Sequence, residues 1–123
     1  MKRDMELVRR IAMSLEACED PEGLPEVKYP DSDQHVVDYH VGLMVEAGLV
    51  DYRMKDSCND NPLPQFFRLH LTWSGHEFTD LAQSSALWSK VASRAAGSVG
   101  KLSFDLMLSL LKNVAAQQLG LPS

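Results

Sequence analysis

Two stretches that alternate with period two flank a polar, turn-rich segment. In "LVDYRMKD", Val50, Tyr52 and Met54 fall on one face, and Asp51, Arg53 and Lys55 on the other. "SCNDNPLP", residues 57–64, is dense in turn formers. "QFFRLHLTW" then alternates again, with Phe67, Leu69 and Leu71 inward and Phe66, Arg68 and His70 outward. Alternation on both sides of such a run predicts an antiparallel β-hairpin with a long tip. A lone hairpin is marginal in water. The segments around it must therefore supply its cover.

Those segments read as helices. From Asp4 to about Cys18, Met5, Val8, Ile11, Ala12 and Leu15 recur at three- and four-residue steps, with Asp4 placed to cap the start. Pro21, Gly23 and Pro25 end this helix. "EVKYP", residues 26–30, alternates briefly as a short strand. "DSDQ" then supplies capping chemistry for a helix running to about Ala47, where Gly48 is the stop. At about 100° per residue, Val37, His40, Val41, Met44 and Ala47 share the inward side of that helix. His35, Tyr39, Gly42 and Glu46 share the outward side, with Asp38 beside them.

After the hairpin, "LTWSGHEFTDLAQ" opens another helix capped by Thr72 or Ser74, with Phe78 and Leu81 inward. "SALWSKVASRAAG" continues or restarts it, and "GSVGK" breaks it. A last helix runs from about Ser103 to Leu119. Helix, helix, hairpin is the order of a winged helix with the hairpin as its wing. The expected class is α+β and mostly helical: a winged helix-turn-helix-like core over 1–83 and a C-terminal helical extension over 84–123, one domain overall.

The last helix is apolar over most of its circumference. Phe104, Met107, Leu108, Leu111, Val114 and Ala115 make one stripe, and Leu102, Leu106 and Leu110 add another side. Such a helix must be covered nearly all round. Phe104, Leu106, Met107, Leu110, Leu111 and Val114 are therefore candidates for a homodimer contact, with burial inside the monomer as the alternative.

The chain has 123 residues, enough for one modest core. No apolar run approaches the ~18 residues that span a bilayer, and the opening "MKRDMELVRRIAMSLE" lacks the form of a signal peptide. The expectation is a cytoplasmic protein with no membrane partner. Cys18 and Cys58 form no CxxC pair and are expected as free thiols. The net charge is −5, unevenly spread: residues 1–60 hold 14 acids and 7 bases, and residues 61–123 hold 3 acids and 5 bases. An acidic first half opposes tight DNA binding, which draws on cations that neutralise phosphates.

No catalytic, cofactor or metal site emerges. His35 and His40 are five apart, a poor spacing for two ligands on one helix face. "HEF" at 76–78 lacks the second histidine of a zinc-protease helix. There is no nucleophile elbow and no glycine-rich phosphate loop. A non-enzymatic chain is expected. For DNA, the outward face of the second helix is acidic, with Tyr39 as its one base-stacking group. The wing offers Arg53, Lys55, Arg68 and His70, and Lys2, Arg3, Arg9 and Arg10 form a second basic cluster. For a protein partner, His35, Asp38 and Glu46 are the candidates.

Several blocks occur together in one order: "MKRDMELVRRI", "VVDYHVGLMVEAGLV", "LTWSGHEFTDLAQ", and the late "LWSKV" followed by "SFDLMLSLL". Over nearly the whole chain these resemble a family of small bacterial and prophage proteins known only as a domain of unknown function. The resemblance implies a winged-helix-like fold in a bacterial or phage cytoplasm. It brings no activity and no site residues. The expected role is regulatory, through DNA or through a host or phage protein.

Overall fold

The first helix, α1 (Met5–Ala17), starts at Asp4, whose carboxylate accepts from the Glu6 amide. Met5, Val8, Ile11, Ala12 and Leu15 are all buried, as their spacing predicts. The structure, a computed structural model, describes residues 2–54, 66–94 and 104–120, with the backbone alone at 53, 54, 66, 67, 94 and 104.

Helix α2 (Gln34–Glu46) is capped by Asp33, which accepts from the His35 amide. Val37, His40, Val41 and Met44 are buried. Ala47 is exposed instead, because it is the C-cap, where the chain has begun to leave the helix. Gly48 takes a φ of 78°. The Gly48 amide donates to Val45 and the Leu49 amide to Met44, a complete Schellman ending with Leu49 and Met44 buried beside it.

The hairpin pairs β1 (Val50–Met54) with β2 (Phe66–Leu71), antiparallel. Val50 faces Leu71 and Asp51 faces His70, but Arg53 faces Phe67. One extra residue is thus accommodated on β2, and Arg68 takes a φ of 55°. The strict alternation expected through β2 is broken there by a bulge. The tip, residues 55–65, with Lys55 and Cys58, lies outside the described residues.

The strand expected at residues 26–30 is absent. Pairing occurs earlier, at Leu24, which exchanges two hydrogen bonds of 2.8 Å with Leu69. Gly23 makes this approach possible: a Cβ there would lie 2.5 Å from the Leu69 carbonyl oxygen. Its φ of 90° also favours glycine. No local alternation announces such a contact.

Helices α3 (Trp73–Ala82), α4 (Ser85–Arg94) and α5 (Phe104–Gln118) complete the chain. Thr72 is the N-cap of α3. Its hydroxyl accepts from the Gly75 amide and donates to the Gly48 carbonyl, while its own amide donates to Leu49. Gly75 sits so close that a Cβ there would lie 2.1 Å from the Leu49 oxygen. Phe78, Ala82, Leu87, Trp88 and Val91 join α1 and α2 in one continuous core, together with Met107, Leu111 and Val114.

Part of the apolar stripe of α5 is accordingly covered within the chain. Met107, Leu111 and Val114, read above as candidates for self-association, are buried where α5 packs on α3 and α4. Leu110 is half-buried and Leu106 half exposed, while the Phe104 side chain lies outside the described residues.

The close approach at Gly75 and the cap at Thr72 set two expected losses of stability. Gly75→Ala forces the Leu49 backbone away and should cost on the order of 3 kcal/mol, the upper part of the overpacking range. Thr72→Ala should cost about 1–2 kcal/mol for the lost cap and tie. Urea unfolding of both variants measures these losses, and an unchanged midpoint for Gly75→Ala would contradict the packing described.

Candidate interaction surface

Three surfaces carry the residues singled out in the sequence. The first is the outer face of α2. His35, Asp38 and Glu46 are exposed, and Tyr39 is 42% exposed with its ring edge-on to His40. Asp38 accepts from Gln34, one turn earlier. The face presents two carboxylates, one imidazole and one phenol, and no lysine or arginine.

The second surface is the base of the hairpin. The Arg68 guanidinium lies 3.8 Å from the Glu22 carboxylate. His70 lies 3.7 Å from Asp51, its cross-strand neighbour. The two hairpin candidates with described side chains, Arg68 and His70, thus each stand beside an acid of the same chain. Arg53 is placed in β1 by its backbone, and Lys55 lies outside the described residues.

The third is α1, whose polar residues act as struts. The Arg9 Nε donates to the Ala82 carbonyl at 2.6 Å, closing the end of α3, and its guanidinium stacks 5.5 Å from the Trp88 ring. Trp88 donates to Glu6. Arg10 forks onto both oxygens of Asp31 at 3.1 and 3.2 Å and lies 3.9 Å over the Tyr29 ring. The Tyr29 hydroxyl meets Ser14 and the Arg10 carbonyl. Arg9 and Arg10 of the second basic cluster are therefore engaged by groups of the same chain.

The histidines divide by role. His40 is fully buried. Its Nε2 accepts from the Asp4 amide and its Nδ1 lies 2.8 Å from the Val36 carbonyl, so the proton is on Nδ1. It is part of the scaffold, joining α2 to the start of α1. His76, in the first turn of α3, reaches Glu16 on α1 at 2.8 Å. Among the described residues, no three or more His, Cys, Asp or Glu are grouped to hold a metal. No helix of the described residues is long and apolar enough to cross a membrane. Cys18 carries a free thiol.

One exposed group escaped the sequence reading. Trp73 is 82% exposed, its indole N–H held by Glu77, which also meets Lys112 of α5. Its position was available from periodicity: nine residues before buried Ala82, it falls roughly 180° away around α3.

The comparisons follow this geometry. The family model described as "Hypothetical protein (DUF2513)" matches residues 2–100. The chain belongs to this family. The DUF2513 match takes in α1 through α4 and stops before α5, so the late "SFDLMLSLL" block falls outside it. A Haemophilus influenzae protein described as uncharacterized is 33% identical over 117 residues, which cover 94% of this chain and 92% of that one. No solved structure matches.

The Arg10 fork holds the Asp31 carboxyl below the usual aspartate range, first by its hydrogen bonds, with help from the Asp31 amide and the Arg10 charge, against a small opposing desolvation. A depressed folded value stabilises the fold fully above the unfolded value, near 4, and the contribution is lost as pH falls through the folded value. Asp31→Asn should therefore melt below wild type at about pH 6 and converge with it as pH falls through the lowered folded value. Paired thermal melts across that interval test the sign.

Proposed function

We propose that this DUF2513 chain is a small, non-enzymatic protein-docking module on a winged-helix-like core, with a regulatory role in a bacterial or prophage setting. Its contact surface is the outer face of α2 around His35, Asp38 and Glu46. The order α1, Leu24 bridge, α2, β1, β2 supports the winged-helix reading. The bridge adds a strand-like edge to β2 between the first two helices, as a winged-helix sheet has. One departure is plain: between Leu24 and α2 there is a turn at 30–32 where a full helix-turn-helix would carry a further helix.

The observation that carries the reading is the sign of the exposed charge. The helix that would enter a major groove shows Asp38 and Glu46 where phosphate and base contacts need cations. Arg68 and His70 of the wing face Glu22 and Asp51. A basic protein surface is the better match for such a face than a polyanion. A fold of this kind does not by itself choose between them.

The test is in two arms. In-cell cross-linking should capture a discrete protein partner with wild type and lose it with Asp38→Lys/Glu46→Lys, substitutions at exposed positions that leave the melting point nearly unchanged. Gel shift on fragments of the native locus at low salt should show no retarded band. A salt-sensitive band that weakens when Arg53, Lys55 and Arg68 become alanine would instead establish the wing as a DNA contact.

A further inference from the structure

Beside α1 runs a groove of about 790 Å³ that no part of the function proposed above uses. One wall is α1 from Leu7 to Ala17. The other is the segment from Tyr29 to Val36. Its apolar lining is Leu7, Met13 and Val36, of which Met13 is 38% exposed. The ten residue-to-residue steps from Leu7 to Ala17 give it a length of roughly 15 Å, about three helical turns.

Its charges are arranged unequally. Asp4, Glu6 and Asp33 gather toward the start of α1 and the start of α2. Asp4 and Asp33 each use one carboxylate oxygen, Oδ1, to cap a helix. The two arginines in the lining are already committed. Arg10 is forked onto Asp31 and stacked on Tyr29, and Arg9 is turned to Ala82 and Trp88. Arg10 is offset by Asp31, while Arg9 keeps its charge against neutral partners, so the lining sets three carboxylates against one unbalanced cation and favours a visiting cation.

We infer that this groove receives a cationic amphipathic helix of a partner protein, its apolar stripe on Leu7, Met13 and Val36 and its lysines or arginines toward Asp4, Glu6 and Asp33. This rests on the protein-docking reading and gives the partner its chemistry. The mode is helix-in-groove recognition, in which apolar anchors provide affinity and charge sets orientation.

The probe is a fluorescein-labelled Leu/Lys amphipathic peptide of about 14 residues, long enough for three turns, beside its Leu/Glu counterpart. Anisotropy titration of the full chain should show binding of the Leu/Lys peptide that weakens with salt, and none of the Leu/Glu peptide. Met13→Lys should weaken binding at least about tenfold, while Leu119→Lys, an exposed position outside the groove, should leave it unchanged. Asp4→Ser/Asp33→Ser keeps a capping oxygen at each helix start and removes two charges. It should weaken binding several-fold and flatten the salt dependence. Melting curves establish that each variant is folded before titration, and amide and methyl shifts at Leu7, Met13 and Val36 locate the peptide. No binding, equal binding of the acidic peptide, or indifference to Met13→Lys would each overturn the inference. Loss of binding in Asp38→Lys/Glu46→Lys with Met13→Lys intact would overturn the groove while leaving the α2 face standing.

Discussion

Leu49 and its neighbours form the junction on which the fold depends. Gly48 ends α2 in the left-handed region, and Leu49 turns the chain into β1. From the far end of the hairpin, Thr72 returns to the same spot, donating its hydroxyl to Gly48 and its amide to Leu49. Gly75 then lets the first turn of α3 rest directly on the Leu49 carbonyl. One short stretch thus closes α2, clamps both ends of the hairpin and starts α3. The direction of α2 relative to α3 is set by backbone contacts rather than by long side chains, which is why glycine is required at two of its positions.

α1 is the second organiser, and it works mainly through polar groups. Its apolar stripe fills the core, while its remaining side chains reach out to the ends of other elements. His40 satisfies the Asp4 amide, Arg9 satisfies the last carbonyl of α3, Glu6 receives the Trp88 indole and Glu16 meets His76. Among the described residues no buried side-chain nitrogen or oxygen lacks a partner. This use of polar groups bears on function. In the sequence Arg9 and Arg10 look like part of a free basic cluster; in the structure Arg9 braces Ala82 and Trp88, and Arg10, still exposed, is paired with Asp31.

Charge and shape therefore point the same way on two adjoining surfaces. The outer face of α2 and the groove beside α1 both offer carboxylates with apolar or aromatic neighbours, and α2 carries no lysine or arginine. Trp73, projecting from the corner between α2 and α3, adds an exposed aromatic of the kind that anchors protein interfaces.

Much of this was legible in the chain itself. Period-3.6 spacing located α1 and its five buried residues. Capping chemistry located Asp4 and narrowed the next two caps to residues 31–33 and to Thr72 or Ser74, of which Asp33 and Thr72 serve; Gly48 marked the end of α2, and paired alternation marked the hairpin. These are local effects, governed by backbone preference and by which face a residue must bury. Tertiary structure alone decided which partners meet across distance: Leu24 rather than residues 26–30 against β2, the extra residue at Arg68, His76 on Glu16, and the cover over Met107, Leu111 and Val114. It also decided which charges remain available, since an arginine's sequence neighbours do not reveal whether its guanidinium will meet solvent, a helix end or an aspartate twenty residues away. That pairing depends on chain segments brought together only when the core closes.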